Sequence, residues 1–223
     1  MSLTYTVIYF LISGLILTTL HFPAGLVCYF IAFTIGSIPF GYLLGRWFGG
    51  VDVKKVGSGN IGATNVYRAI KAQDPKRAKI IGGITLLLDG MKGAFPILVA
   101  KWMGVCDGVL WGMAFFGVAG HCFSPFLKFE GGKGVATSAG VLGVLVPTAF
   151  LVGIALWGLV LKTTRYSSLA SLTGLGVGAI VLPFLYPEIS IESYVPVYLI
   201  LFIVFYKHRT NIWRLIRGEE GKI

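Results

Sequence analysis

The chain has 223 residues, 56% apolar and only 13% charged, with a mean hydropathy of +0.82, whereas a soluble domain carries roughly 25% charged residues. It is not a water-soluble globule. Nineteen Lys and Arg stand against nine Asp and Glu, a net charge of +10, so the partners that charge selects are anionic. No RNA-binding or zinc-finger signature accompanies that charge, which argues against a nucleic-acid partner. Cys28, Cys106 and Cys122 stand singly, without the C-x-x-C spacing of metal or redox chemistry.

Apolar runs of about 15 to 22 residues recur from end to end, near the ~20 that a helix needs to cross a bilayer. Because lipid leaves backbone groups without partners, the spans are expected to be helices, and the fold class all-α. In chain order the spans are expected at residues 4–20, 25–46, 80–100, 108–127, 134–146, 148–162, 167–186 and 192–206. The first has no basic leader or A-x-A cleavage site, so it reads as a retained helix. The fifth and sixth are short and flank Pro147; a 13-residue helix rises only ~20 Å, which fits a bent or re-entrant hairpin stopping short of the far face. The whole reads as one transmembrane domain over residues 1–223 with seven or eight helices. No inverted repeat relates its halves.

The positive-inside rule orients the spans. Residues 46–79 carry Arg46, Lys54, Lys55, Arg68, Lys71, Lys76, Arg77 and Lys79. Lys128 and Lys133, Lys162 and Arg165, and the tail with Lys207, Arg209, Arg214, Arg217 and Lys222 fall on the same side. Seventeen of nineteen basic residues are then expected in the cytosol. Topology and anionic lipid alone account for such charge, but not for the glycine that accompanies it.

Residues 36–46, 57–68, 121–138 and 207–220 are dense in glycine, small polar residues and isolated charges, all near the basic face. Gly57, Gly59 and Gly62 form a G-x-G-x-x-G, yet no strand precedes it, so a dinucleotide site is not supported. With Ser58, Asn60, Thr64, Asn65 and Arg68 the segment admits two readings, an anion cradle or a turn capped by Asn and Ser. Gly131, Gly132, Lys133 and Gly134 open a membrane helix that continues through Thr137, where free N–H groups and the positive dipole end favour an anion; the alternative is a lysine snorkelling beside a helix cap. It is not a Walker A motif, which needs Ser or Thr after Gly-Lys. Asp89 and Lys92, one turn apart inside a span, read either as an ion pair or as a lysine reaching a phosphate. His21 has no companions, and His121 lies beside a turn. His208 shares a helical face with Asn211.

The runs 36–41 (GSIPFG), 57–65 (GSGNIGATN), 120–121 (GH) with 129–137 (FEGGKGVAT), and 208–212 (HRTNI) with Gly218 and Glu220 resemble the bacterial acyl-phosphate:glycerol-3-phosphate acyltransferase family, the PlsY type. The resemblance covers about residues 26–221, leaving residues 1–20 as an expected added helix outside an acyltransferase core. It implies a seven-helix inner-membrane enzyme with its site at the cytosolic face. The implied reaction moves a fatty acyl group from acyl phosphate to the 1-hydroxyl of glycerol 3-phosphate, giving lysophosphatidic acid and phosphate in the first acylation of phospholipid synthesis. Implied roles are phosphate binding by Gly57, Ser58, Gly59, Asn60, Gly62, Thr64, Asn65 and Arg68, and by the Gly131 to Thr137 turn. Ser37 and Arg46 would support the first of these sites. Lys133 would neutralise charge, and His208 and Asn211 would orient the hydroxyl or the leaving phosphate. Asp89, Lys92, His121 and Glu220 are expected in support, with no cofactor and no metal. An acyl-CoA enzyme with a His-x4-Asp dyad is excluded, since Leu26, Phe126 and Trp213 stand five residues after the histidines. A phosphate transporter would need polar residues leading to both faces, and here they gather at one.

Overall fold

The computed structural model describes residues 24–223, and the expected first span and His21 lie outside them. Ten α-helices follow: α1 (Ala24–Gly36), α2 (Phe40–Trp47), α3 (Ala63–Lys71), α4 (Pro75–Trp102), α5 (Asp107–Cys122), α6 (Val135–Leu145), α7 (Pro147–Thr164), α8 (Ser167–Leu185), α9 (Val195–Lys207) and α10 (Arg209–Ile216). The described residues contain no strand. Five spans are long and apolar enough to cross a membrane, with α1 and α2 counted as one, and α6 and α9 are shorter apolar helices. That makes seven membrane helices among the described residues. The remaining two, α3 and α10, are short and charged, and both lie at the basic end.

The second expected span is broken at residues 37–39. Pro39 has no N–H and disfavours helix in the residue before it, so the carbonyls of Ser37 and Ile38 are released inside the bundle. Each finds a side chain: Ser124 Oγ donates to Ser37 O at 2.6 Å, and Lys92 Nζ to Ile38 O at 2.8 Å. Lys92 also pairs with Asp89 at 2.8 Å, both side chains buried. The ion-pair reading of these two residues is the one the structure supports, with Lys92 turned to the kink and not to a ligand.

α4 starts five residues earlier than its apolar run. Asp74 accepts from Lys76 N and Arg77 N at its N-terminus, and Pro75 occupies the first turn, a favoured pairing of cap and proline. At 28 residues it is about 42 Å long and carries its charged first turns beyond the apolar layer. The shortness of α6 follows from where it begins. Thr137 Oγ1 donates to the Asp89 carbonyl at 2.9 Å, and Asp89 is about 21 Å along α4, so the 123–134 segment has already descended into the bundle. The chain then turns at Val146 and Pro147, where Thr148 N donates to the Tyr186 hydroxyl at the far end of α8. The hairpin therefore meets the far end of the bundle instead of stopping short of it, because its first helix starts deep.

α5 is the enclosed centre: Leu110, Trp111, Met113, Ala114 and Val118 are buried in one core with parts of α1, α4, α6, α8 and α9. α7 buries only Ala149 and leans on α8. A smaller core of Val51, Val53, Ile61, Val66, Ile70, Ile81 and Leu127 fastens the 49–62 loop and α3 to α4. α1 and α5 approach so closely that a Cβ at Gly36 would run into the Gly117 carbonyl. Overpacking of this kind costs about 1–3 kcal/mol or more. Gly36→Val is expected to lower the melting temperature of the detergent-purified protein by at least a few degrees, read by differential scanning fluorimetry.

Candidate active site

One cavity of about 620 Å³ is lined by residues of α3, α4, α6, α7, α8 and the 207–220 region, with His121 of α5 and Val197 of α9. Its end at the basic side is polar, with Ser58, Asn60, Thr64, Arg68, Lys133, His208, Asn211 and Glu220; away from that end it is apolar, between α4, α6, α7 and α8. Three of the four glycine-rich segments marked in the sequence contribute to this polar end.

The 57–65 turn is built around Asn65. Its Oδ1 accepts from Ser58 N at 2.9 Å, and its Nδ2 faces the carbonyls of Val53, Val56 and Asn60 at 2.9, 3.0 and 2.8 Å. With both ends of the amide occupied, Asn65 shapes the turn and has no donor left for an anion, contrary to the expectation from sequence. Gly57 and Gly59 adopt φ of +63° and +69° and form the turn without lining the cavity. Ser58, Asn60, Gly62 and Thr64 do line it, with Thr64 Oγ1 and Ser167 Oγ 3.1 Å apart. Arg68 uses one nitrogen on Gly221 O at 2.8 Å; a guanidinium has five N–H donors, so most of its fork is left for a ligand.

At the start of α6, Gly134 takes φ +84° as the N-cap, a turn suited to glycine. Gly131 N and Gly132 N are already bonded to Cys122 O and His121 O. They anchor the turn to the end of α5 and do not hold a ligand. The His121 ring fills the space against Gly132 where a Cβ would stand, and its Nδ1 lies 3.7 Å from Asp89 Oδ1. Thr137 likewise points to Asp89 O and not into the cavity. The cation the turn delivers is Lys133. Its Nζ donates to Asn211 Oδ1. Asn211 Nδ2 donates in turn to Glu220 Oε1 at 2.7 Å, the same oxygen that accepts from Ser168 Oγ at 2.6 Å, while Arg214 Nε pairs with Glu220 Oε2 at 2.8 Å.

Burial lowers the Lys133 pKa to about 8; Glu220 opposes the shift, and Arg214 and Arg68 add to it. For His208, burial and the nearby Lys133 charge bring the pKa to about 4, against the raising effect of the Val204 carbonyl and Glu220. Its Nδ1 lies 2.8 Å from Val204 O, which assigns the proton to Nδ1 and leaves Nε2 as a hydrogen-bond acceptor. Burial pushes Glu220 up, but its bonds from Ser168, Arg214 and Asn211 outweigh this and hold it ionised below the usual range.

Two residues expected at the site stand apart from it. Ser37 donates to Phe33 O at 2.7 Å within the kink, and Arg46 is exposed and bonds the Tyr42 hydroxyl at 3.1 Å; neither lines the cavity. Conversely, Ser167, Ser168 and Ser171 on the first turns of α8 do line it and were not marked in the sequence. Their signal was the polar run SSLAS opening an otherwise apolar helix.

A half-buried lysine and an arginine beside neutral donors, joined to an apolar cleft between membrane helices, suit a membrane enzyme acting on a phosphorylated polar molecule and a lipid-soluble one. Residues 26–218 match the family described as glycerol-3-phosphate acyltransferase. A glycerol-3-phosphate acyltransferase of Wolinella succinogenes is 50% identical over 87% of this chain and 94% of its own, and one of Nitratiruptor sp. is also 50% identical over the same shares. The crystal structure of PlsY (YgiH), an integral membrane glycerol 3-phosphate acyltransferase, in its glycerol 3-phosphate form is 34% identical and superposes with a TM-score of 0.79, covering 90% of this chain and 96% of that one. The chain belongs to the glycerol-3-phosphate acyltransferase family.

Because the Lys133 charge is lost as pH rises through about 8, anion binding is expected to weaken between pH 7 and 9. Thermal stabilisation of the solubilised protein by inorganic phosphate measures this. Lys133→Ala should show a smaller shift without that pH dependence, and a wild-type response from the variant would remove Lys133 from the anion site.

Proposed function

We propose that the protein moves a fatty acyl group from acyl phosphate to the 1-hydroxyl of glycerol 3-phosphate, at the cytosolic face of a bacterial inner membrane. The observation that carries this reading is the continuity of the cavity, one end cationic and hydrogen-bonding, the other apolar and between membrane helices. A water-soluble phosphate and a lipid-borne acyl chain fit the two ends of one space. The charge distribution supports the cytosolic placement, since the cavity's polar end lies where the basic loops gather.

In this reading Arg68, with Ser58, Asn60 and Thr64, holds one phosphate and Lys133 the other. The glycerol hydroxyl oxygen attacks the acyl carbonyl carbon, the bond from that carbon to the phosphate oxygen breaks, and phosphate leaves. Lys133 stabilises the charge that builds on the phosphate and carbonyl oxygens, the contribution to which preorganised cations are best suited. His208 Nε2 accepts from the hydroxyl and orients it. With a pKa of about 4 it is a weak base, whereas the phosphate trianion released as the carbon–oxygen bond breaks is a far stronger one, so the hydroxyl proton ends on the departing phosphate. An acyl phosphate already carries a good leaving group, so positioning supplies most of the remaining catalysis and no covalent acyl-enzyme is required. Asn211, held between Glu220 and Lys133, fixes the ammonium in line with the reacting atoms.

The purified protein is expected to form lysophosphatidic acid from glycerol 3-phosphate with palmitoyl phosphate and not with palmitoyl-CoA. Product from the CoA donor alone would overturn the donor assignment. Product from neither, with counterflow of glycerol 3-phosphate in vesicles, would mark a transporter. Lys133→Ala is expected to lower turnover by roughly 100-fold or more, the scale seen when one transition-state donor is removed, while the protein stays folded and membrane-inserted.

A further inference from the structure

The apolar arm of the cavity is open to the lipid side along Leu86, Leu87, Met91 and Ile154 but ends on buried side chains. Along α8 it extends from Ser168 to Leu182, and along α6 from Gly134 to Val146, about 21 Å and 18 Å at helical rise. There Val146, Ala149, Leu182 and Val197 form a wall, each no more than 4% exposed, and all four belong to the main core. The wall is braced from behind. Thr148 N donates to the Tyr186 hydroxyl at 3.0 Å, and the Tyr194 hydroxyl donates to Tyr186 O at 2.6 Å. The α6–α7 turn, the end of α8 and the approach to α9 are thereby tied together, so the wall cannot retreat without breaking hydrogen bonds.

We propose that this wall measures the acyl chain and sets the longest donor the enzyme uses well, with Ala149 and Leu182 as specificity-determining residues. The inference rests on the acyl-transfer reading above. A carbon–carbon bond of about 1.5 Å advances an extended chain by about 1.3 Å, so 18–21 Å of arm takes about 14 to 16 carbons between the reacting carbonyl and the wall. One methylene too many against a closed apolar surface is worth about 10–200-fold in discrimination. Ala149, the smallest residue of the wall, leaves the end of the arm open to its present depth, and a larger side chain there fills it. Leu182 closes the arm from α8, and trimming it lengthens the space.

The test is kcat/KM for acyl phosphates of 10 to 20 carbons, with the KM for glycerol 3-phosphate measured alongside. Wild-type enzyme is expected to fall at least tenfold between 16 and 20 carbons. Ala149→Leu should raise the preference for 12 over 16 carbons by roughly tenfold, and Leu182→Ala should raise that for 18 over 16. A flat wild-type profile from 12 to 20 carbons overturns the proposal without any variant, because it means that the chain leaves sideways into lipid. Variants that slow all donors in equal proportion overturn it as well. No product from any acyl phosphate in the wild type would instead sink the acyl-transfer reading itself, so the two failures are distinct.

Discussion

A lysine can be presented within a membrane bundle only on backbone whose polar groups are all satisfied, because lipid supplies no substitute partner. Among the described residues, the 123–134 segment and the 37–39 kink interrupt helix inside the protein; one bond joins them, and neighbouring helices satisfy the rest. Ser124 caps Ser37 O, Lys92 caps Ile38 O, Lys207 Nζ caps Cys122 O at 2.7 Å, and the N–H groups of Gly131 and Gly132 return to the carbonyls of Cys122 and His121. Leaving one such buried group unpaired costs about 1–3 kcal/mol, so the irregular backbone persists only as a set. Asp89 extends the set: its side chain holds Lys92, and its carbonyl holds Thr137. The position of Lys133 is thus settled by hydrogen bonds made some distance from it.

The polar end of the cavity is arranged around charge of both signs. A carboxylate at an anion site would repel the ligand if it faced the cavity unpaired. Glu220 instead spends its oxygens on Ser168, Asn211 and Arg214, and this orients the Asn211 amide with its oxygen toward Lys133. Lys133, Arg68 and His208 then offer an ammonium, a guanidinium fork and an uncharged ring within one space. The low pKa of His208 comes first from its burial and second from the Lys133 charge beside it, since a second positive charge there is unfavourable.

Much of the fold was legible because membrane helices announce themselves by length and composition. The α8 range, 167–186 from the sequence and Ser167–Leu185 in the structure, is a continuous apolar run with a polar start, and little tertiary information is needed to find it. Hydropathy starts α4 late because Lys76, Arg77 and Lys79 resemble a loop, although Asp74 and Pro75 carry the start signal. Hydropathy runs through the break at Pro39 within the expected span of 25–46, since it does not register a missing N–H. At the site, Lys133, His208, Asn211 and Arg68 were found from local chemistry, and the structure gathers them around one cavity. The roles of Asn65, Gly132 and Thr137 were not legible. Each is a donor in sequence, and only the three-dimensional partners show that the donor is already used. The apolar arm was out of reach for the same reason, being formed by the distance between four helices and not by any motif.

The chain of bonds from Lys133 through Asn211 and Glu220 to Ser168 has a consequence for biogenesis. Its members are separated by up to 87 positions in the sequence, so the constellation cannot exist while the chain is partly made. At synthesis rates of about 5–20 residues per second, Lys133 emerges several seconds before Glu220. During that interval the helices that will enclose the cavity are inserting one after another, with its polar end incomplete. Helices α1 to α8 can pack before the final segment arrives, but the arrangement that orders the ammonium comes last. The bonds that order the ammonium are thus completed by residues made after most of the helices that enclose it.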